Sequence, residues 1–324
     1  MMKFRILLAD PIGPAGRAPL EAEPALELVE RTGLSGNALV EALAEVDAVI
    51  VRSTTVITRE SLARTTRLRA IGRAGAGLDN VDVDAATEKG IAVFNTPDAN
   101  TISAAELTFG LILALARRIP AADRSMKAGA WDRERFMGFE LSGKTLGLVG
   151  VGRIGTEVAS RAHAFGMRVV ASDPALEPER ARSLGIEAMP FNDVLAAADI
   201  VSLHVPLTPA TRGMIDDDAL ARMRPGALLV NAARGGVVEE AALVRALESG
   251  RLAGAALDVF EIEPLPPDHP LRSLENVVLT PHIGARTTEA QENVSRHVAL
   301  AVRDALLLGD IASAANAAAL GSRG

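Results

Sequence analysis

The chain of 324 residues exceeds what a single hydrophobic core usually serves, so two domains are expected. With 48% apolar residues it leaves no room for a long disordered tract, and a net charge of -7 with one Trp and no Tyr excludes a backbone-driven nucleic-acid binder. The absence of Cys excludes disulfides, a thiolate nucleophile and a Cys-ligated metal; no metal is expected, and a reducing compartment is favoured.

The N-terminus MMKFRILLAD lacks the long apolar core and cleavage site of a signal peptide and reads as a first strand over 4–9. Further strands are expected at 48–51, 68–71 and 91–94. Ser103-Ala104-Ala105-Glu106 reads as a capping box opening an apolar helix to about residue 117. Its apolar run, 107–116, is about half the roughly 20 residues that span a bilayer, so a soluble, cytoplasmic protein without membrane contact is expected. A second series of strands follows at 145–149, 168–171, 200–203, 228–230, 255–259 and 277–279. A last helix covers about 287–308, and the small-residue tail from Ile311 is expected to be loosely held. Short apolar strands alternating with amphipathic helices predict an α/β protein of two doubly wound parallel-sheet lobes, joined near residue 100. Periodicity does not say which lobe the last helix covers.

GLVGVGRIG places Gly150, Gly152 and Gly155 between a strand and a helix, and the next strand ends in Asp173. That context marks a dinucleotide-binding turn. Gly150 allows the tight turn, Gly152 the approach of a pyrophosphate, Gly155 close helix packing, and Asp173 meets the ribose hydroxyls. An acid there repels a 2′-phosphate, favouring NAD over NADP. A second glycine-rich stretch, IGRAGAGLDN at 71–80, has the spacing G-x-x-G-x-G and no helix until about Val83. It is either an anion-binding nest of exposed amides beside Arg73 or a simple chain reversal.

Hydride transfer to a carbonyl needs a proton donor. Without Tyr or Cys, histidine is the remaining acid. His163 and His297 lie within helices and His269 in the loop PPDHPL, while His204 and His282 each end a strand, where open α/β sheets bind ligands. Pro281, Gly284 and a carboxylate partner in Glu263 favour His282, and His204 stays the alternative. Arg supplies all but four of the 34 basic residues, so a lone Arg is most often solvated. Arg234, inside the glycine-rich turn NAARGGVV after a strand, is the exception that could polarise a carbonyl and pair with a carboxylate.

GLVGVGRIG, HVPLTPATRG, VNAARGGVVEE, GAALDVFEIEP and NVVLTPHIGA resemble, in order and spacing, the D-isomer-specific 2-hydroxyacid dehydrogenases. IGRAGAGLDNVD, VFNTPDANTISAAELTFGLILALAR and WDRERFMGFELSGKTLG are similar to the branch of that family acting on D-3-phosphoglycerate. The resemblance implies an NAD lobe over 100–286, inserted into a substrate lobe of 1–99 plus 287–324, with a central cleft. It implies that His282 is the acid-base, that Glu263 tunes it, and that Arg234 binds the substrate carboxylate and 2-oxygen. NAD contacts are implied at Gly150, Gly152, Arg153, Ile154, Gly155, Asp173, Val205, Pro206, Thr211, Ala232, Arg234, Asp258, His282 and Gly284. Substrate contacts are implied at Arg52, Ser53, Arg73, Asn100 and the amides of Ala76 and Gly77. Ala76 stands where some relatives carry Thr and can offer no hydroxyl.

The segment 131–138 resembles one that reaches a neighbouring subunit, implying a homodimer in which Arg133 or Arg135 meets the substrate phosphate. Longer members add regulatory domains after about residue 310, so serine feedback through such a domain is not expected here. The implied reaction is NAD-dependent oxidation of D-3-phosphoglycerate to 3-phosphohydroxypyruvate, in serine biosynthesis. Alternatives are a glyoxylate/hydroxypyruvate reductase or another D-2-hydroxyacid dehydrogenase and, from a different class, an NAD-sensing co-repressor-like binding protein.

Overall fold

The computed structural model describes residues 3–321. Contacts divide them into two units, one running to Asn100 and resuming at Arg286, the other Thr101–Ala285. In chain order the first unit opens with β1 (Phe4–Leu8), α1 (Pro14–Glu21), β2 (Leu26–Glu30), α2 (Gly36–Ala44), β3 (Ala48–Val51), β4 (Ala70–Arg73), α3 (Val83–Glu88) and β5 (Ala92–Phe94). The second unit holds α4 (Thr101–Ala116), α5 (Ile119–Lys127), β6 (Thr145–Val149), α6 (Arg153–Ala164), β7 (Arg168–Ser172), α7 (Pro178–Ser183), β8 (Glu187–Ala188), α8 (Phe191–Ala197), β9 (Ile200–Leu203), α9 (Asp217–Arg222), β10 (Ala227–Asn231), α10 (Glu240–Glu248), β11 (Leu252–Leu257) and β12 (Val277–Leu279). The first unit then takes α11 (Thr288–Leu308) and α12 (Ala317–Gly321).

Every strand pairing is parallel. The first unit has the order β2-β1-β3-β4-β5 and the second β12-β11-β10-β9-β6-β7-β8. Both are doubly wound, reversing direction at β1/β3 and at β6/β9 respectively. Parallel strands covered on both faces must be apolar throughout; AVIV of β3 and TLGLV of β6 are buried at every position. In the first unit α11 lies so close over β4 that a Cβ on Gly72 would stand 2.7 Å from both the Val298 and Val302 methyls. In the second, a Cβ on Gly147 would press into Val194 and Ala198 of the α8 segment. Among the described residues no helix is long and apolar enough to cross a membrane.

Several expected elements are corrected. Ser103 is not at the N-cap position: α4 begins at Thr101, and Ser103 is buried inside its first turn. The strand expected at 68–71 is Ala70–Arg73, and that expected at 255–259 is Leu252–Leu257. The strands β2 and β8 were not anticipated. The tail is pinned rather than loose: buried Asn316 donates to Thr87 Oγ1 at 2.8 Å and the Ile91 carbonyl at 2.9 Å, and accepts the Val93 amide at 2.9 Å. Its last three residues lie outside the described range.

Candidate functional site

In the seven-stranded sheet Val149, Leu203, Asn231, Leu257 and Leu279 stand in register across five strand ends. Whatever follows these residues shares the edge at which open parallel sheets bind ligands.

Gly150 leaves β6 at φ 96°, and a Cβ there would stand 2.6 Å from the His204 carbonyl oxygen. A Cβ on Gly155 would overlap the Gly150 carbonyl. Gly152 differs: a Cβ there would meet nothing within 4 Å, and α6, which starts at Arg153 and Ile154, has no side-chain cap on its first amides. Open space before uncapped amides at the positive end of a helix fits a pyrophosphate. Asp173, just past β7, accepts the Val151 amide at 2.6 Å and the Ala175 amide at 2.7 Å, which ties the glycine turn to its neighbour. Each carboxylate oxygen retains acceptor capacity for a ribose hydroxyl.

After β9, Val205 packs beside Gly150, and the Thr211 hydroxyl donates to the Pro206 carbonyl at 2.6 Å, closing a compact turn. After β10, Ala232 is packed against the core, and Asn231 accepts the Ala233 amide at 3.1 Å while donating to the Arg234 carbonyl at 2.9 Å. The half-buried Arg234 guanidinium donates to the Ala233 carbonyl at 2.7 Å. Only glycine fits at position 235, where a Cβ would overlap the Phe260 carbonyl.

His282, after β12, sits at φ 52°, a region that costs a residue with a Cβ. Fully buried Asp258 holds it there. The Asp258 backbone oxygen accepts the His282 amide at 2.8 Å, and its carboxylate accepts the Thr280 hydroxyl at 2.6 Å and the Ile283 and Gly284 amides at 2.8 and 2.9 Å. The Asp258 side chain thus shapes the turn, and its Oδ2, which accepts the Gly284 amide, keeps acceptor capacity for a further donor. The His282 Nδ1 lies 2.7 Å from Glu263 Oε2, and Glu263 Oε1 accepts the Phe260 amide at 3.1 Å. Bonded this way, Nδ1 shares a proton with Glu263, and Nε2 is the ring nitrogen turned to other partners.

His204 has a different environment. It faces Ser202 Oγ at 2.9 Å, and desolvation lowers it from 6.5 to about 4, so it is neutral at physiological pH. His163 meets the Leu184 carbonyl at 3.0 Å, and His297 lies within α11.

In the first unit Arg52 and Ser53 follow β3, and Arg73 ends β4. Buried Asp10 accepts the Arg52 amide at 2.6 Å, and Arg52 also donates to Gln291 of α11. Burial lowers the Arg52 pKa, with Arg286 nearby lowering it and Asp10 opposing. Asn80, which the sequence reading did not single out, donates to the Arg52 and Thr55 carbonyls at 2.6 Å and accepts Arg73 Nε at 3.3 Å. It joins the Arg52 loop to IGRAGAGLDN. Gly75 takes φ 152°, its carbonyl accepts the Thr96 amide at 2.9 Å, and the Ala76 carbonyl accepts Asn95 Nδ2 at 2.6 Å. Both carbonyls are thus held by the segment just after β5, and the residues Ala76 and Gly77 are half-buried. Asn100 Oδ1 and Thr96 Oγ1 are buried without a protein partner. Arg133 and Arg135 are exposed in the second unit, and Arg135 grips both Glu275 oxygens at 2.9 Å.

Residues 109–284 match the family described as D-isomer specific 2-hydroxyacid dehydrogenase, NAD binding domain. D-3-phosphoglycerate dehydrogenase of Rattus norvegicus is 46% identical over 98% of this chain, and that of Methanocaldococcus jannaschii 48% identical over 95%. The chain spans 59% and 58% of those two relatives' lengths. A glyoxylate reductase structure from Paecilomyes thermophila superposes with a TM-score of 0.89 at 34% identity, covering 97% of this chain and 99% of that one.

Proposed function

Because the chain belongs to the D-isomer-specific 2-hydroxyacid dehydrogenases, whose NAD-binding domain it carries, we propose that it oxidises D-3-phosphoglycerate to 3-phosphohydroxypyruvate with NAD, a step of serine biosynthesis in the cytoplasm. The observation that carries the chemistry is the 2.7 Å contact between Glu263 and His282 at the strand-end edge that also bears the glycine turn.

Gly150, Gly152, Arg153, Ile154, Gly155 and Asp173 would hold the dinucleotide, with Val205, Pro206, Thr211, Ala232 and Gly284 along its path. Bound NAD supplies the acceptor for the hydride that leaves C2. His282 Nε2 takes the C2 hydroxyl proton, and Glu263 steadies the imidazolium that results. Arg234 binds the carboxylate and the oxygen becoming a carbonyl, favouring the planar product. The amides of Ala76 and Gly77, with Arg52, Ser53, Arg73 and Asn100, would receive the rest of the substrate, and the partnerless Asn100 oxygen suits a substrate hydroxyl.

The assembly we propose is a homodimer. Trp131 and Met137, each 73% exposed, with Ile119 and Met126 at 53% and 52%, put a concentration of apolar side chains on one stretch, as interfaces do. Arg133 or Arg135 of that stretch would meet the neighbouring subunit's substrate phosphate.

Likeness to a glyoxylate reductase favours a second reading, reduction of glyoxylate or hydroxypyruvate. Assays with NAD against D-3-phosphoglycerate, D-lactate and D-glycerate separate them. Turnover of an unphosphorylated acid with none of phosphoglycerate would overturn the first reading.

A further inference from the structure

Behind the Glu263 and His282 pair lies a second Glu and His pair. Glu240, the first residue of α10, is buried, its side chain only 8% exposed, and His269 Nε2 stands 3.1 Å from its Oε2. The other oxygen, Oε1, accepts the Glu261 amide at 2.7 Å, and in return the Glu261 carboxylate accepts the Glu240 amide at 2.9 Å. The two glutamates therefore cap one another's backbone across the gap between α10 and the turn after β11. That turn is the one that carries Glu263, two residues beyond Glu261.

The hydrogen bonds fix the protonation pattern. His269 Nδ1 accepts the Leu271 amide at 3.3 Å, so its proton sits on Nε2 and is donated to Glu240. With Oε1 and Oε2 each facing an N–H, Glu240 fits as a carboxylate and not as an acid. Burial nevertheless raises its pKa; the Glu261 amide opposes this, the Glu261 charge adds to it, His269 opposes, and Glu263 adds. A chain that needed only a helix start here could use an uncharged cap. An acid forced to ionise in a buried place, among two other carboxylates, indicates that the geometry it imposes is worth its cost.

We propose that Glu240 and His269 are positioning residues of the acid-base pair: together they clamp the turn after β11, so that Glu263 stays within hydrogen-bond reach of His282. The route is short and continuous. His269 orients Glu240, Glu240 fixes the Glu261 amide, Gly235 lets the β10 turn bear directly on Phe260 and Glu261, and Phe260 donates to Glu263. The proposal rests on the reading of Glu263 and His282 as the acid-base pair, and it adds two residues that touch neither substrate nor cofactor.

The test uses the full chain, in three variants, with two readouts. Glu240→Gln presents an amide N–H to one of two N–H donors, and His269→Ala removes the orienting donor; His269→Gln returns an N–H where Nε2 stood. We expect kcat to fall at least about tenfold in the first two, with KM for NAD changed less than about twofold, and to recover in His269→Gln. The second readout is the downfield Nδ1 proton resonance of His282 in protein labelled with ¹⁵N-histidine. It should be present in the native chain, lost in the first two variants and restored in the third. If both variants merely melt earlier while kcat and the resonance stay native, or if the native chain lacks the resonance, the proposal falls. His269 is partly exposed, so its variants carry the test even if Glu240→Gln does not fold. The resonance needs no substrate, so inactivity toward phosphoglycerate would fell the substrate assignment and leave this comparison intact.

Discussion

Glu263 Oε2 approaches His282 Nδ1 to 2.7 Å while buried Asp258 holds the His282 backbone at a positive φ. Pairing and strain thus converge on one ring. His282→Asn should lower kcat at least about a hundredfold and Glu263→Gln about tenfold or more, as expected for loss of a general base and of the group that orients it. Titration calorimetry with NAD should give a native-like affinity in Glu263→Gln. A near-native kcat in His282→Asn would remove it from the mechanism.

Gly152 and Gly150 of the dinucleotide turn should fail in different ways. A methyl at Gly152 enters open space, so Gly152→Ala should keep the native melting temperature yet weaken NAD binding about tenfold or more. Gly150→Ala meets both a positive φ and the His204 carbonyl, and should lower the melting temperature itself. Calorimetry and thermal melts, compared for the two variants, decide whether the open space is the ligand's.

Asp258→Asn replaces a carboxylate with an amide whose NH2 must face one of the N–H or O–H donors around it. Leaving such a buried group unsatisfied costs about 1–3 kcal/mol. Urea unfolding should show that loss together with a fall in kcat, because the His282 turn depends on the same bonds. Stability lost with kcat unaltered would separate Asp258 from the positioning of His282.

His204 makes stability depend on pH. Its folded pKa, about 4, is below the unfolded 6.5, so the stability it contributes is complete above pH 6.5 and is lost as pH falls toward 4. The gap between about 4 and 6.5 caps that loss at roughly 3 to 4 kcal/mol, and the residue's partial exposure reduces it. His204→Gln, which keeps a donor for Ser202, should flatten the fall in melting temperature over that window. An unchanged profile would mean that other groups carry the acid limb.

If the exposed 131–137 stretch meets a second subunit, Trp131→Asp with Met137→Asp should give a folded monomer in light scattering. Arg133→Ala or Arg135→Ala should raise KM for phosphoglycerate by about tenfold without altering turnover of D-lactate. Arg135 must leave Glu275 to serve a partner, so Glu275→Gln should not impair the enzyme if Arg135 is the phosphate ligand. Equal effects on both substrates would contradict a phosphate role.

Much of the fold was legible because buried parallel strands advertise themselves as short apolar runs; those at 145–149, 200–203 and 277–279 needed no adjustment. The missed strands are edges: LELVE of β2 carries exposed charges, and β8 is two exposed residues. At Ser103 the capping pattern lost to helix continuity, because Thr101 and Ile102 extend the helix backward. The pinned tail depends on Asn316, whose partners lie more than 220 residues away, beyond any local pattern. For the site, strand ends named both His204 and His282 as candidates, and Pro281, Gly284 and Glu263 in the sequence already favoured His282. The pairing of His204 with Ser202 and the held backbone of His282 were not legible there, because both depend on contacts in three dimensions.

The helix α11, which lies tightly over Gly72, has a consequence for biosynthesis. The ribosome makes this cover roughly 200 residues after the sheet that it protects, with the entire second unit in between. The second unit can therefore complete its own sheet during translation, while the first must wait with the part of one apolar face that α11 packs on uncovered, only α1 lying beside it. Nascent chains arrested before Thr288 should expose that face to hydrophobic dyes and to chaperones, and release past Leu308 should hide it. Order of synthesis, and not intrinsic stability alone, then sets which half of the protein is vulnerable to misfolding.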